Sequence, residues 1–261
     1  MLSLIGHQFV VLAHGASPYL SECLTSVLGQ CEASSVVIAT STPCRHISEI
    51  AARYDVPICV NADCRGIAAD WNFGLSCATE SLVTLAHQDD IYYPDFSSES
   101  RRLFDSTPHA SLCFTDYDEI DRKSQRLRRG RVLTVKRILR FFAVGGSEVI
   151  KSRSRRRRLL AFGSVIPCPS VTLNKNAEPN FLFSEEFQIN LDWEGWWRLH
   201  ALDLPFLASQ RVLMAHRLHE DAETSQSKSD GRRRAEDRAM FNRLWHAPVA
   251  NALATLYRVG Y

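Results

Sequence analysis

Between Gln8 and Ala86 the chain alternates short apolar runs with amphipathic stretches, and this alternation constrains the fold more than any other feature. Gln8 to Ala13 (QFVVLA), Val36 to Ala39, Val56 to Val60 and Ser81 to Ala86 have the length and composition of buried strands. Helical patterns lie between them. Ser17-Pro18 supplies a cap and a first helical residue, and Leu20, Leu24, Val27 and Leu28 follow on one face. Ile47, Ile50, Ala51 and Tyr54 mark a second helix, and Ile67, Trp71, Leu75 and Ala78 a third. Strand–helix alternation with short links predicts an α/β fold: a mostly parallel central sheet, helices on both faces, right-handed crossovers. At 261 residues and 45% hydrophobic composition, the chain can bury one large core, or one core plus a small annex.

The fourth strand delivers His87-Gln88-Asp89-Asp90-Ile91-Tyr92-Tyr93-Pro94-Asp95, and Pro94 is placed to open the next helix. Ligands of open α/β sheets bind at the ends of the strands. Two adjacent carboxylates repel unless a cation or a hydrogen-bonded ligand offsets them, so the pair suits a divalent metal carrying a phosphate. The plainer alternative is a solvated helix cap.

Beyond Pro94, Phe96, Leu103 and Phe104 continue as a helix, and Ala110 to Thr115 reads as another strand. The acidic segment Asp116 to Asp121 is expected to be a solvated strand end or turn, with a second cation site as the alternative. From Arg122 to Arg158 the chain turns basic, with Arg126, Arg128, Arg129, Arg131, Lys136, Arg137, Arg140, Lys151, Arg153 and the run Arg155 to Arg158. Such a run can attract RNA, an anionic membrane surface or the phosphates of a lipid-linked substrate, or it can be a solvated surface loop. No aromatic residues interleave the arginines as base stacking requires, so nucleic acid is not an expected partner. Gly163 to Ser170, with Pro167 and Pro169, reads as an extended connection lining a cleft, and Cys168 as a packing residue.

Asp192 opens a helix in Asn190-Leu-Asp-Trp-Glu-Gly-Trp-Trp-Arg-Leu199, with Trp193, Trp196 and Trp197 close by. A carboxylate held beside tryptophans is partly desolvated and suits a general base; the alternative is an N-cap with a tryptophan-filled core behind it. Further on, Arg211 to His219 reads as a strand whose alternation sets Arg217 and His219 on one face, His216 and Leu218 on the other. An arginine and a histidine together at a strand end can clamp a diphosphate and its metal, or form an ordinary polar face. Ser227 to Arg234 reads as a loop. Ala235 to Tyr257 reads as two helices broken at Pro248, a lid on the core or a membrane-surface element.

Several classes are poor fits. There is no GxGxxG fingerprint and no GxxxxGK[ST] phosphate loop. A net charge of +2 supplies no global attraction to nucleic acid, and no apolar run approaches the ~18 residues of a membrane span. The eight cysteines lack zinc-site spacing and no export signal precedes them, so reduced, buried thiols in a cytoplasmic protein are expected.

In combination the motifs resemble the inverting family 2 glycosyltransferases of GT-A fold. The resemblance rests on five pieces in order: Tyr19-Leu-x-x-Cys-Leu-x-Ser-Val-Leu-x-Gln30; Gly66-Ile67 with Trp71-Asn72-x-Gly74; His87-Gln-Asp-Asp90 with Pro94-Asp95; Asp192-Trp-Glu194 with Trp197-Arg198-Leu199; and Arg217-x-His219 ahead of Ser225. It implies a nucleotide-sugar donor, a UDP-sugar being the expected one, a Mn2+ or Mg2+ ion, and transfer of one sugar with inversion to a hydroxyl of a glycan or lipid-linked glycan acceptor in cell-surface polysaccharide biosynthesis. By position, Asp90 is the implied metal ligand, with His219 beside it. Asp89 is the implied ribose contact or a support of the site, and Asp192 the implied catalytic base. Ala13, His14, Ser41, Asn72 and Arg217 fall at positions implied to meet the donor. An inactive nucleotide-sugar-binding or protein-interaction module of the same fold is the alternative.

Some positions depart from the family pattern. Ser41-Thr42 stands where an acidic residue usually reads the donor base, Ala13-His14-Gly15 where a Tyr-Asn turn is usual, and Asp70-Trp71 where Ala-Arg is common. Without a Gln-x-x-Arg-Trp motif or a membrane span, the features of polymerising relatives, the expected transfer is non-processive. The implied organisation is a GT-A domain over residues 1–226 and a C-terminal helical extension over 227–261. Residues 1–121 form the nucleotide-sugar half of that domain, and 122–226 an acceptor-side half with the basic insertion. The implied location is cytoplasmic, peripheral at the inner face of the cell membrane, with contact to anionic lipid through Arg155 to Arg158.

Overall fold

The computed structural model describes residues 5–62, 66–128, 130–219 and 231–259. Ser225, much of the polar stretch after it, Arg129 and Cys64 lie outside the described residues. The first half follows the expected alternation: β1 (His7–Leu12), α1 (Leu20–Leu28), β2 (Ser35–Thr40), α2 (Arg45–Tyr54), β3 (Ile58–Val60), α3 (Ile67–Cys77) and β4 (Leu82–His87). Then come β5 (Ile91–Tyr92), α4 (Phe96–Ser106), β6 (Leu112–Ile120), α5 (Arg131–Val144), β7 (Val149–Ile150) and α6 (Arg153–Leu160). The chain continues through β8 (Val171–Asn174), α7 (Leu191–Ala201), β9 (Phe206–Arg217), α8 (Arg232–Leu244) and α9 (Ala247–Val259).

All nine described strands join one sheet, in the order β3-β2-β1-β4-β8-β6-β9-β5 with β7 also on β9. The sheet is mostly parallel: β1 to β4, β6 and β9 share a direction, while β8, β5 and β7 run against them. Strand alternation divides the core. Phe9 and Val11 face α1 and α2, whereas Val10 faces the opposite layer, built around Trp193, Trp196 and Phe241. Fully burying one side chain of this size stabilises by roughly 1.5–3 kcal/mol. Gly74 lets α3 lie close on the sheet, because a Cβ there would sit 2.8 Å from the Leu12 side chain.

Several expectations are corrected. Leu28 is 43% exposed, and the buried stripe of α1 is Leu20, Cys23, Leu24 and Val27. Pro94 does not open a helix; the acidic pair leads into β5, and α4 starts at Phe96. The segment Asp116 to Ile120 is neither a turn nor solvated. It continues β6, with Asp116 and Asp118 buried. The basic stretch is no loop, since α5 and α6 occupy most of it. Arg137 and Arg140 each lie 2.7 Å from the Asp116 carboxylate, and Arg126 pairs with Asp118. Arg156 is buried and donates to the carbonyls of Lys151, His200 and Leu202, while Arg157 donates to the Leu244 carbonyl and lies over Trp245. The run Arg155 to Arg158 is therefore not a continuous exposed patch. The seven described cysteines are free, but Cys31 is exposed and only Cys23, Cys113 and Cys168 are buried.

The C-terminal helices pack as a lid on the core. Met240, Phe241 and Leu244 of α8 are buried, with Phe241 edge-on to Trp193 at 5.1 Å. The break precedes Pro248, at Trp245-His246, and Pro248 lies in the first turn of α9, where its missing N–H costs nothing.

Candidate active site

The carboxyl ends of β1, β2, β4, β6 and β9 meet at one edge of the sheet. Ala13, His14 and Ser41 gather there. Ala13 N–H donates to the Ala39 carbonyl, Gly15 N–H to Thr42 Oγ1, and the Gln88 amide bonds both the N–H and the C=O of His14. The edge is thereby braced by side chains where the ladder stops.

The acidic pair is set by the hairpin-like pairing of β5 with β9. Ile91 lies opposite Ala215, and continuing that register brings Asp90 opposite His216. His216 Nδ1 donates to Asp90 Oδ1 at 2.9 Å, and the Arg217 N–H donates to the same oxygen at 3.0 Å. Asp90 is fully buried, and its Oδ2 has no partner among the described residues. An orphaned buried carboxylate oxygen is costly unless something else meets it. Burial pushes the His216 imidazole down, but the Asp90 carboxylate overrides this and lifts it to about 9. Asp89 is half-buried and accepts from His219 Nε2 at 3.0 Å. Burial pushes its carboxyl up, yet the His219 bond and the nearby His87 and His216 hold it below the usual range.

These groups can hold a cation. One ligand atom each from His87, Asp89 and Asp90 lies within 4.8 Å of the others, and His87 Nε2, like Asp90 Oδ2, is buried without a described partner. Two carboxylates with an imidazole suit Mn2+ or Mg2+, which favour hard oxygen ligands. His219 touches this group through Asp89.

Asp192 is not the cap of α7: Asn190 occupies that position, and Asp192 lies two residues further on, in the first turn. Its oxygens accept from the Trp193 N–H at 2.6 Å and from Ser164 Oγ at 3.3 Å, which brings the start of the Gly163 to Ser170 connection to Asp192; the end of that connection, Cys168–Ser170, is a short 3-10 turn and not extended. Burial pushes the carboxyl above the usual range against those bonds and the charges of Lys136 and His87. His87 therefore acts electrostatically on both Asp89 and Asp192, and the buried Cys168 thiol is pushed up by burial and by both Asp192 and Asp90.

Two residues expected at the donor do other work. Arg217 has no exposed surface: it donates to the carbonyls of Asp89 and Asp121, to Ser124 Oγ and to Glu22 at 2.6 Å, with its guanidinium 4.4 Å from the Tyr19 ring centre. Asn72 spends its amide on the Phe183 N–H and C=O. Both brace the edge from within.

Sequence reasoning missed two sets of residues. His216 was assigned to the face away from the pair, because the two-residue strand β5 is too short to register in an apolar pattern. Glu236 of α8 accepts the backbone N–H groups of Gln188, Ile189 and Asn190, each at 2.9 Å, and Asp237 takes the Asn190 amide. A carboxylate from the C-terminal extension thus fixes the entry to the helix carrying Asp192. No local signal marks such a long-range cap.

The chain is similar to known proteins in sequence pattern and in fold. The family model for glycosyl transferase family 2 matches residues 8–173. S. aureus TarS 1-349 in complex with UDP-GlcNAc is similar in structure: TM-score 0.65, 13% identity, 96% of this chain and 70% of that one. The mannosyltransferase PcManGT from Pyrobaculum calidifontis, in complex with GDP-Man and Mn2+, gives a TM-score of 0.65 at 12% identity, over 97% of this chain and 73% of that one. Against a longer S. aureus TarS structure the TM-score is 0.60 at 11% identity, and the chain, 97% covered, spans 43% of its length. No curated protein sequence matches the chain.

Proposed function

The chain belongs to glycosyl transferase family 2, and from that premise we propose that it moves one sugar from a nucleotide-sugar donor to an acceptor hydroxyl with inversion at the sugar carbon. The observation that carries this reading is the buried Asp90 oxygen without a partner, beside His87 and Asp89.

In this reading Asp192 takes the proton from the acceptor hydroxyl. The hydroxyl oxygen forms its bond to the anomeric carbon as the bond from that carbon to the diphosphate breaks on the opposite face. A base whose pKa is raised toward the working pH suits that task. Asp90, Asp89 and His87 would hold a Mn2+ or Mg2+ ion, with His219 completing the set by fixing Asp89. Such an ion, when bound, offsets the negative charge gathering on the departing diphosphate. Ala13, His14 and Ser41 would line the nucleoside, with UDP as the first choice of carrier because a similar fold binds UDP-GlcNAc.

The acceptor is a glycan or lipid-linked glycan, and the site of work is the cytoplasmic face of the membrane in cell-surface polysaccharide synthesis. Residues 1–121 would serve the donor and 122–226 the acceptor, with 227–261 holding α7. Among the described residues no helix is long and apolar enough to cross a membrane.

A thermal-shift screen of nucleotide sugars with and without Mn2+, on the parent and on Asp90→Ala, tests the reading. A metal-dependent stabilisation that disappears in the variant is expected; no stabilisation by any nucleotide in either protein would sink it.

A further inference from the structure

Helix α5 carries apolar residues on both sides, with Leu133, Ala143 and Val144 buried in the core. Its charged residues Arg137 and Arg140 point inward to the buried Asp116 and Asp118 of β6. Val135, Ile138, Phe141 and Phe142 point out, 52%, 48%, 63% and 70% exposed. Spacings of three, four and seven residues put these four on a single stripe, together with the exposed Arg131. Of the eleven large apolar side chains exposed among the described residues, four lie on this one helix, and the other seven are distributed over the rest of the chain. Scattered apolar residues are ordinary on a protein surface, whereas a contiguous apolar stripe marks a place where something docks.

The charges around the stripe say what docks. Residues 122–158 hold fifteen of the chain's 31 lysines and arginines but a single acid, Glu148, although the whole chain carries only +2. After subtraction of the cations spent inside the protein, Arg128, Arg131, Lys151, Arg153, Arg155 and Arg158 still face solvent. Helix α6, which carries three of them, packs against α5. A protein partner burying an apolar stripe has no need of so one-signed a border. An anionic bilayer offers the matching combination of negative headgroups over acyl chain, and an interfacial helix meets it with phenylalanines below and arginines at the headgroup level.

We propose that the outer face of α5 seats the protein on an anionic lipid surface, with Phe141 and Phe142 inserted and the exposed arginines of residues 128–158 at the headgroups. The inward face of the same helix is held by Arg137 and Arg140 to β6, which pairs with β9 at Glu119 opposite His216. Seating α5 on lipid therefore brings the proposed acceptor side of the cleft to the membrane. The proposal deepens the lipid-linked acceptor reading and rests on it for its purpose, but the docking itself is measurable with no acceptor present.

Co-sedimentation with phosphatidylcholine vesicles containing about 30% phosphatidylglycerol, and with phosphatidylcholine alone, is the test. The parent is expected in the anionic pellet and mostly absent from the neutral one. Phe141→Ser/Phe142→Ser should weaken binding at least about tenfold. Arg131→Gln, Arg155→Gln and Arg158→Gln should each weaken it up to about fivefold, while Arg45→Gln on α2 leaves it unchanged. In the background of the parent's own tryptophans, Phe142→Trp should add fluorescence quenched by brominated lipid. A parent that stays in solution, or a Phe141→Ser/Phe142→Ser protein that pellets as the parent does, overturns the proposal. So does a concentration-dependent dimer that the double variant dissolves with no vesicle binding, which assigns the stripe to a second copy. Mn2+-dependent nucleotide binding, measured on the same proteins, separates the two readings: retained without vesicle binding, only the docking surface falls; lost with vesicle binding intact, only the glycosyltransferase reading falls.

Discussion

Two acidic groups sit in the same sheet, Asp89-Asp90 at the end of β4 and Asp116 with Asp118 in β6, and both are wholly or partly buried. They differ in what surrounds them. Asp116 Oδ1 and Asp118 Oδ2, like Asp90 Oδ2, lack a hydrogen bond of good geometry, but each lies in ion-pair contact with a guanidinium, Arg140 and Arg126, and Arg137 reaches both carboxylates. Asp89 and Asp90 are met by histidines, a backbone N–H and, on Asp90 Oδ2, by no described partner. Guanidinium is a permanent charge, so the β6 group is closed and structural; imidazole leaves room for competition by a metal. Acidity alone does not make a cation site. An incomplete set of partners does.

Substitutions can break this contrast at either end. The largest effect is expected from Asp90→Ala, which should cut sugar transfer by about a thousandfold or more and erase Mn2+-dependent nucleotide binding in a titration calorimeter, while far-UV circular dichroism is kept. Retained metal dependence would move the cation site elsewhere. Asp192→Asn should lower kcat by about 10²–10⁴-fold with donor affinity unchanged. If the parent proves as inactive as the variant while both bind donor, the chain is a binding module.

On the β6 side, Arg140→Met leaves Asp116 with Arg137 alone. Breaking a buried ion pair costs about 3 kcal/mol or more, readable as a lower urea midpoint, and Asp116→Asn/Arg140→Met should recover part of it because one charge of each sign is removed and Arg137 keeps Asp118. Metal binding should survive both changes. A smaller shift concerns pH. Asp192 works ionised and burial raises its pKa, so transfer should fall on acidification at a pH above the ordinary aspartate value of 3.8. An acid limb at or below that value would remove Asp192 as the base. Smallest of all, Arg155→Gln on the exposed side of α6 should alter stability by less than about 0.5 kcal/mol; a larger loss would mean that this arginine too is spent inside the fold.

Much of the donor-side fold was legible because periodicity is local: strands β1 to β4 and helices α1 to α3 follow apolar patterns within a few residues. The acidic pair and Asp192 could be named for the same reason, each standing in a short, distinctive stretch. His216 could not, since its place depends on a two-residue strand pairing with β9 some 120 residues away. Arg217 was assigned to the right face but the wrong depth, because alternation gives direction and not burial.

The basic segment shows the limit most clearly. From composition, residues 122–158 read as a charged surface; folded, α5 turns Arg137 and Arg140 inward and its phenylalanines outward. Sequence by itself determined the alternating architecture, the acidic pair at a strand end and the helix bearing Asp192, since each follows from the chemistry of neighbouring residues. Tertiary structure alone decided which charges neutralise one another, which carboxylate oxygen is left open and which face of α5 meets the outside. Those outcomes depend on desolvation and on partners distant in the chain, and no local pattern encodes either.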